Sequence, residues 1–177
     1  MDGPFYIDGL PPFNITDSSS VTLTASLQVV STLDKLPKFP SNYFGYVGKA
    51  IRITAIGRAT SGATPGGFNW GVYWGPGTAG SGTLISGVNV TWTASQTNAT
   101  MVYTGIIRCR ALGTSGSLLG CGRLFIQQTG EIPCPFSGLA ATTVDLTQNY
   151  YMFPQLSRSG STVETFQLHD WFTEALN

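Results

Sequence analysis

Nine basic and nine acidic side chains leave this 177-residue chain with no formal net charge, and charged residues supply only 10% of it, against roughly a quarter in an ordinary soluble domain. The length suits one domain, and the balance argues against nucleic-acid partners, which call for a basic stripe or tail to neutralise phosphates. A surface so poor in charge has to be covered by small polar side chains and backbone, or by other subunits, which favours an assembled structural protein over a free enzyme.

Residues 1–20 differ in character from the rest. The run MDGPFYIDGLPPFN holds Pro4, Pro11 and Pro12 among Phe5, Tyr6, Ile7, Leu10 and Phe13. Prolines at that density exclude a helix and favour extended chain. Asp2, Asp8 and Asp17 stand there without a base. The apolar residues are too many for a solvated tail, so the segment reads as an extended arm that lies along its own domain or docks on a neighbouring subunit.

Residues 21–177 read as a single β-domain of period-2 runs. In VTLTASLQV, Val21, Leu23, Ala25, Leu27 and Val29 alternate with polar residues, predicting a strand with one buried face. In GKAIRITAIGRAT, Ile51, Ile53 and Ala55 face away from Arg52 and Thr54. Phe68, Trp70, Val72 and Trp74 share one side of FNWGVYWG; core burial is the expectation for Trp70 and Trp74, and exposure for Tyr73. Met101, Tyr103, Ile107 and Cys109 lie opposite Arg108 and Arg110, and CGRLFIQQTG forms a further strand. The clusters TSGATPGG, GPGTAGSG, LGTSGS and RSGS mark the reversals between strands.

The closing stretch TVDLTQNYYMFPQLSRSGSTVETFQLHDW reads as a hairpin turning at Ser159-Gly160, with at most one turn of helix at HDWFTEALN. Tyr150, Met152 and Leu156 share one face, Tyr151 and Phe153 the other, so both faces call for cover. No stretch shows helical periodicity. About eight strands with frequent turns predict an all-β, antiparallel sandwich of jelly-roll type; the Cys and Trp spacing of immunoglobulin domains is missing.

Few side chains are of the types that carry catalysis. His169 is the only histidine, no G-x-S-x-G elbow accompanies it, and His169 and Asp170 are neighbours in a strand-like run, so their side chains are expected to face apart. Cys109, Cys121, Cys134 and His169 could be written as a zinc set, but no close C-x-x-C pair is present; three cysteines allow one disulfide plus a free thiol, and three reduced, buried thiols are the leading expectation. Asp145, Glu164 and Asp170 are the acids near the closing stretch that could serve glycoside cleavage, a weak signal in any sandwich. The glycine-rich loops join strand to strand and offer no helix N-terminus to phosphate. The sequons at Asn14, Asn89 and Asn98 read as chance in an Asn- and Thr-rich chain. No run of about 18 apolar residues exists, so no transmembrane helix is expected, and the start lacks the plan of a signal peptide. No cofactor, metal or catalytic residue is expected, and the chain reads as a non-enzyme. The aromatics Tyr73, Trp92, Tyr151 and Phe153 remain as surface or interface candidates.

The layout GYVGKAIRITAIGRAT, then TPGGFNWGVYWG with TLISG, then TGIIRCRALGTSGSLLGCGRL, then TTVDLTQNYYMFPQLSRSGSTVETFQL resembles a group of tailed-bacteriophage virion proteins over residues 21–170. The resemblance implies small trimeric jelly rolls that act as head decoration (cement) or minor tail proteins. On that basis the expected role is a capsid decoration protein, made in the host bacterial cytoplasm and carried on the outer capsid surface. It would be a homotrimer bound to the major capsid protein, with Phe5, Tyr6, Ile7, Leu10 and Phe13 as the arm contact. The alternative is a tail or fibre component that binds a receptor or glycan through Tyr73, Trp92 or the glycine-rich loops.

Overall fold

The structure is a computed structural model describing residues 17–26, 28–31, 36–135, 140–158 and 164–176. Phe5, Tyr6, Ile7, Leu10 and Phe13 lie outside the described residues. The strands are β1 (Val21–Thr22), β2 (Gln28–Val29), β3 (Lys38–Phe39), β4 (Ala50–Thr60), β5 (Gly67–Gly75), β6 (Thr83–Thr91), β7 (Ala99–Ala111), β8 (Gly116–Ile126), β9 (Gly130–Cys134), β10 (Thr142–Val144), β11 (Tyr150–Arg158) and β12 (Thr165–Ala175). Eight of these twelve have five residues or more, and no helix occurs among the described residues. One sheet has seven strands in the order β1-β12-β4-β7-β8-β10, with β9 also on β8; the other has five in the order β2-β11-β5-β6, with β3 also on β11. Every ladder is antiparallel. The expected antiparallel β-sandwich of jelly-roll type is what the chain forms.

Alternation along the long strands decides what enters the core. Met101, Tyr103, Ile107 and Cys109 of β7 are buried, as are Ile51, Ile53 and Ala55 of β4, and Phe68, Trp70, Val72 and Trp74 of β5. The two sheets meet through aromatic rings: Trp70 lies 5.5 Å from Tyr103 and 6.2 Å from Phe166, centroid to centroid. The Tyr103 hydroxyl donates to Ser86 Oγ at 3.0 Å, a polar tie across the sandwich from β7 to β6. The Tyr103 ring lies flat on its own sheet because Gly105 and Gly122 leave room for it. A Cβ on Gly105 would run into the hydroxyl and stand 2.6 Å from Cζ; one on Gly122 would stand 3.0 Å from the ring.

VTLTASLQV is not one strand: β1 joins the seven-stranded sheet and β2 the five-stranded one. The chain changes sheet where Thr24 N–H donates to Gln28 Oε1 at 2.7 Å and the Thr24 hydroxyl donates to Ser26 O at 3.3 Å. Side chains that satisfy nearby backbone in this way compete with a continuous ladder. Ala25, expected on the buried face, is exposed.

The closing stretch is not a hairpin either. β11 pairs with β5 while β12 pairs with β4, so the two strands lie in opposite sheets; Ser159 and Gly160 are outside the described residues. The last residues continue as strand rather than helical turn, with Trp171 fully buried opposite Ala55.

The second layer expected over β11 comes from the same chain. Loop 76–82 folds back on the outer face of the five-stranded sheet. Gly80 N–H donates to Gln155 Oε1 at 2.7 Å, Gln155 Nε2 donates to Ser81 O at 2.7 Å, and the Phe153 ring reaches Gly82. Gln155 and Phe153 are thereby fully buried on a face that would otherwise be wet.

Tyr103 is therefore the test of the inter-sheet contact. Gly105→Ala is expected to lower stability by about 2 kcal/mol through overpacking. Tyr103→Phe should cost about 1 kcal/mol for the lost hydrogen bond. Urea unfolding of both variants measures this.

Candidate functional site

The outer face of the seven-stranded sheet carries the least expected surface. Its ladders set residues in rows across the strands. One row runs Asp170, Ile56, Val102, Phe125, Glu131; the next Phe172, Thr54, Thr104, Arg123, Pro133; a third Glu174, Arg52, Ile106, Cys121. Ile56, Phe125 and Phe172 are 36%, 43% and 38% exposed, and Val102 and Ile106 are half-buried beside them. A contiguous apolar band thus crosses four strands on a face that period-2 patterning reserves for polar side chains.

Arginines surround this band. The chain has six, and Arg52, Arg58, Arg108, Arg110 and Arg123 all stand exposed on this side of β4, β7 and β8. Arg52 Nη1 donates to Glu174 Oε2 at 3.0 Å and Arg123 Nη1 to Glu131 Oε1 at 2.6 Å. With side chains 44% to 73% exposed, each such pair contributes about 0–1 kcal/mol. Arg58 donates twice to Gln167 Oε1, at 3.0 and 2.6 Å. Arg108 and Arg110 have no carboxylate partner among the described residues. Between Arg52 and Arg123 the face dips into an open hollow of about 420 Å³, also lined by Thr104, Gly105, Ile106, Cys121 and Gly122.

The aromatics singled out from the sequence part company. Trp92 is 4% exposed and packs edge-on against Phe68 at 4.6 Å; it is a core residue and not a surface one. The alternation Val88, Val90, Trp92 carried that signal, since all three are buried on the inner side. Phe153 is likewise no surface residue, being closed over by loop 76–82. Tyr73 is half-buried, its ring over Gly71 and 6.2 Å from Phe153, and burial raises its hydroxyl pKa. Tyr73 borders a polar row in which Asn69 Nδ2 donates to Ser157 Oγ at 3.0 Å and Asn69 pairs with exposed Asn89. Tyr151 is half-buried with the Lys38 ammonium 5.7 Å from its ring centroid.

The candidate catalytic groups are scattered. His169 occupies a bulge between Leu168 and Asp170 in the β12–β4 ladder. Its Nδ1 is hydrogen-bonded to the Asp17 carboxylate, and the backbone N–H of Asp17 donates to His169 O at 3.0 Å. The acid beside the histidine is thus Asp17, which holds residues 17–18 to the edge of β12. Asp170 stands apart, opposite Ile56. Asp145 accepts from the Thr147 backbone at 2.8 Å and from its hydroxyl at 2.6 Å, which lower its pKa. Glu164 is fully buried at the other end of β12, and desolvation raises its pKa against the opposing pull of Gly66 and Arg158. Among the described residues no three His, Cys, Asp or Glu side chains converge on a metal position.

The three cysteines are free thiols, but only Cys109 and Cys134 are buried; Cys121 is exposed, against the expectation for all three. Cys121 falls on the outer side of β8, and the inner side is the one that fills the core.

These sheets define an antiparallel β-sandwich of jelly-roll type. No protein-family model matches the chain, and no curated protein matches its sequence. Among solved structures it is similar to peanut lectin with a bound 9mer peptide, at 10% identity over 95% of this chain and 99% of that chain, TM-score 0.39. It is also similar to lectin UEA-II complexed with galactose, at 11% identity over 96% and 88%, TM-score 0.39. A third is the CBM2 module of the evolved Dit of Lactobacillus casei BL23 phage J-1, at 13% identity over 98% and 80%, TM-score 0.33.

Burial orders the thiols by reactivity. It pushes the Cys134 pKa up to about 12 and raises that of Cys109, and the thiolate is the reactive form. A thiol reagent at pH 8 is expected to titrate one cysteine, Cys121, in the folded protein and all three after unfolding. Mass mapping of the modified residue checks this.

Proposed function

We propose that this chain is a structural protein of a bacteriophage particle, acting as a capsid decoration protein without catalytic function. The observation that carries the reading is the apolar, arginine-bordered outer face of β12, β4, β7 and β8. An exposed apolar patch rimmed by polar residues marks a surface that meets another protein, and arginine with aromatic side chains is the composition of interface cores. The low charge of the rest of the chain and the virion resemblance of residues 21–170 support the same reading. The chain sits on the outer shell as a homotrimer, placing this face against the major capsid protein, with the N-terminal arm as a second contact. Its action is mechanical. Interfaces of about 1,600 Å², repeated by symmetry across capsomer boundaries, oppose internal genome pressure by their sum. Gold-labelled antibody on purified particles is expected to mark the head, and its absence from the particle overturns the reading. Phe125→Asp, at an exposed position, and deletion of residues 1–14 are each expected to abolish incorporation while the protein stays folded.

A second reading, a tail component that binds a glycan, draws on half-buried Tyr73, on the same sheet face as Asn69 and Asn89: an aromatic ring that shares a face with amides is the chemistry that holds a sugar. Glycan-array binding lost in Tyr73→Ala would favour it, and an array without binding removes it.

A further inference from the structure

We infer that the outer face of the seven-stranded sheet is built for a partner protein surface rich in carboxylates and apolar side chains; this rests on the protein-docking reading above. Five of the six arginines lie on this one face, brought together from three strands. The face also carries Asp170, Glu174 and Glu131, so it is net positive on a chain whose formal charge is zero. A surface with this excess, and with an apolar band through it, is complementary to an acidic apolar surface and not to another basic one.

The arginines differ in what they are free to do. Arg108 and Arg110 have no carboxylate of their own among the described residues. Arg52 and Arg123 have one each, in solvent-exposed pairs that are weak and open to exchange. Guanidinium groups grip carboxylates in a two-pronged geometry that an ammonium cannot match, and no lysine stands on the four central strands. The hollow between Arg52 and Arg123 has room for one inserted side chain of the partner. Strands of 11, 13, 11 and 11 residues cover roughly 700 Å² at strand spacing, close to the about 800 Å² that each partner gives to a stable interface.

A nucleic acid is the less suited occupant. Three carboxylates stand among the arginines, and Ile56, Phe125 and Phe172 would face phosphates to no advantage. A second copy would set the same positive excess against itself.

Cys121 reports on the face, since its exposed thiol lines the hollow and the other two cysteines are buried. The full chain is mixed with a Glu/Tyr copolymer, a Lys/Tyr copolymer or an oligothymidylate, and the rate of Cys121 modification and the binding affinity are measured. The Glu/Tyr copolymer is expected to bind, to slow modification about tenfold and to weaken with salt. Its affinity should fall about tenfold or more in the Arg108→Ser/Arg110→Ser variant, as loss of charge-assisted hydrogen bonds requires. Equal binding of the Lys/Tyr copolymer overturns the inference, as does equal protection by oligothymidylate. Protection that grows with the concentration of the chain alone, without any polymer, assigns the face to a second copy and also overturns it. Copolymer binding by a chain absent from particles would sink the virion reading and leave this one. A chain found on the head with Cys121 still reactive would do the reverse.

Discussion

The side chains of β4, β7, β8 and β12 must alternate between two faces, and the register of their ladders decides which residues meet on each. Filling the inner face with Ile51, Ile53, Met101, Tyr103, Ile107, Leu124 and Trp171 leaves no choice about the outer one. The same registers bring Asp170, Ile56, Val102, Phe125 and Glu131 into one row. A slip of one residue would bury the arginines, so core packing also holds the outer surface in place. The bulge at His169 is the one place where β12 resets against β4, and it turns the histidine toward Asp17.

The two outer faces are finished differently. On the five-stranded sheet the chain supplies its own cover. Loop 76–82 satisfies the Gln155 amide through two hydrogen bonds and closes over Phe153, so β11 can be apolar on both sides without a partner. No such loop covers the seven-stranded sheet among the described residues. Its apolar residues stay in solvent, bordered by arginines in weak or unfilled pairings. This contrast separates a face folded into the monomer from one available to another molecule.

Much of the fold was legible in the chain because it is local. Alternation in β4, β5 and β7 identified their buried sides, and the clusters GPGTAGSG and LGTSGS placed the β5–β6 and β7–β8 reversals. The misreadings share a cause. The closing hairpin and the single first strand each concerned which segment pairs with which, and strand pairing joins residues far apart in sequence, as does the loop that covers Phe153. Phe153 is the clearest instance: its pattern asked for cover, and nothing local says that the cover comes from residues 76–82. The arginines are another, since two on β4, two on β7 and one on β8 look dispersed until the ladders align them.

Sequence alone determined that this is an all-β chain, which side of most long strands faces inward, and that the usual catalytic and metal-binding motifs are missing, because composition and period-2 alternation act within a few residues. Tertiary structure alone decided that β11 and β12 lie in opposite sheets, that Asp17 is the acid at His169, that Cys121 is exposed, and that arginines and apolar residues share one open face. Those outcomes depend on backbone hydrogen bonds between distant segments, and such bonds form the same way whatever side chains they carry.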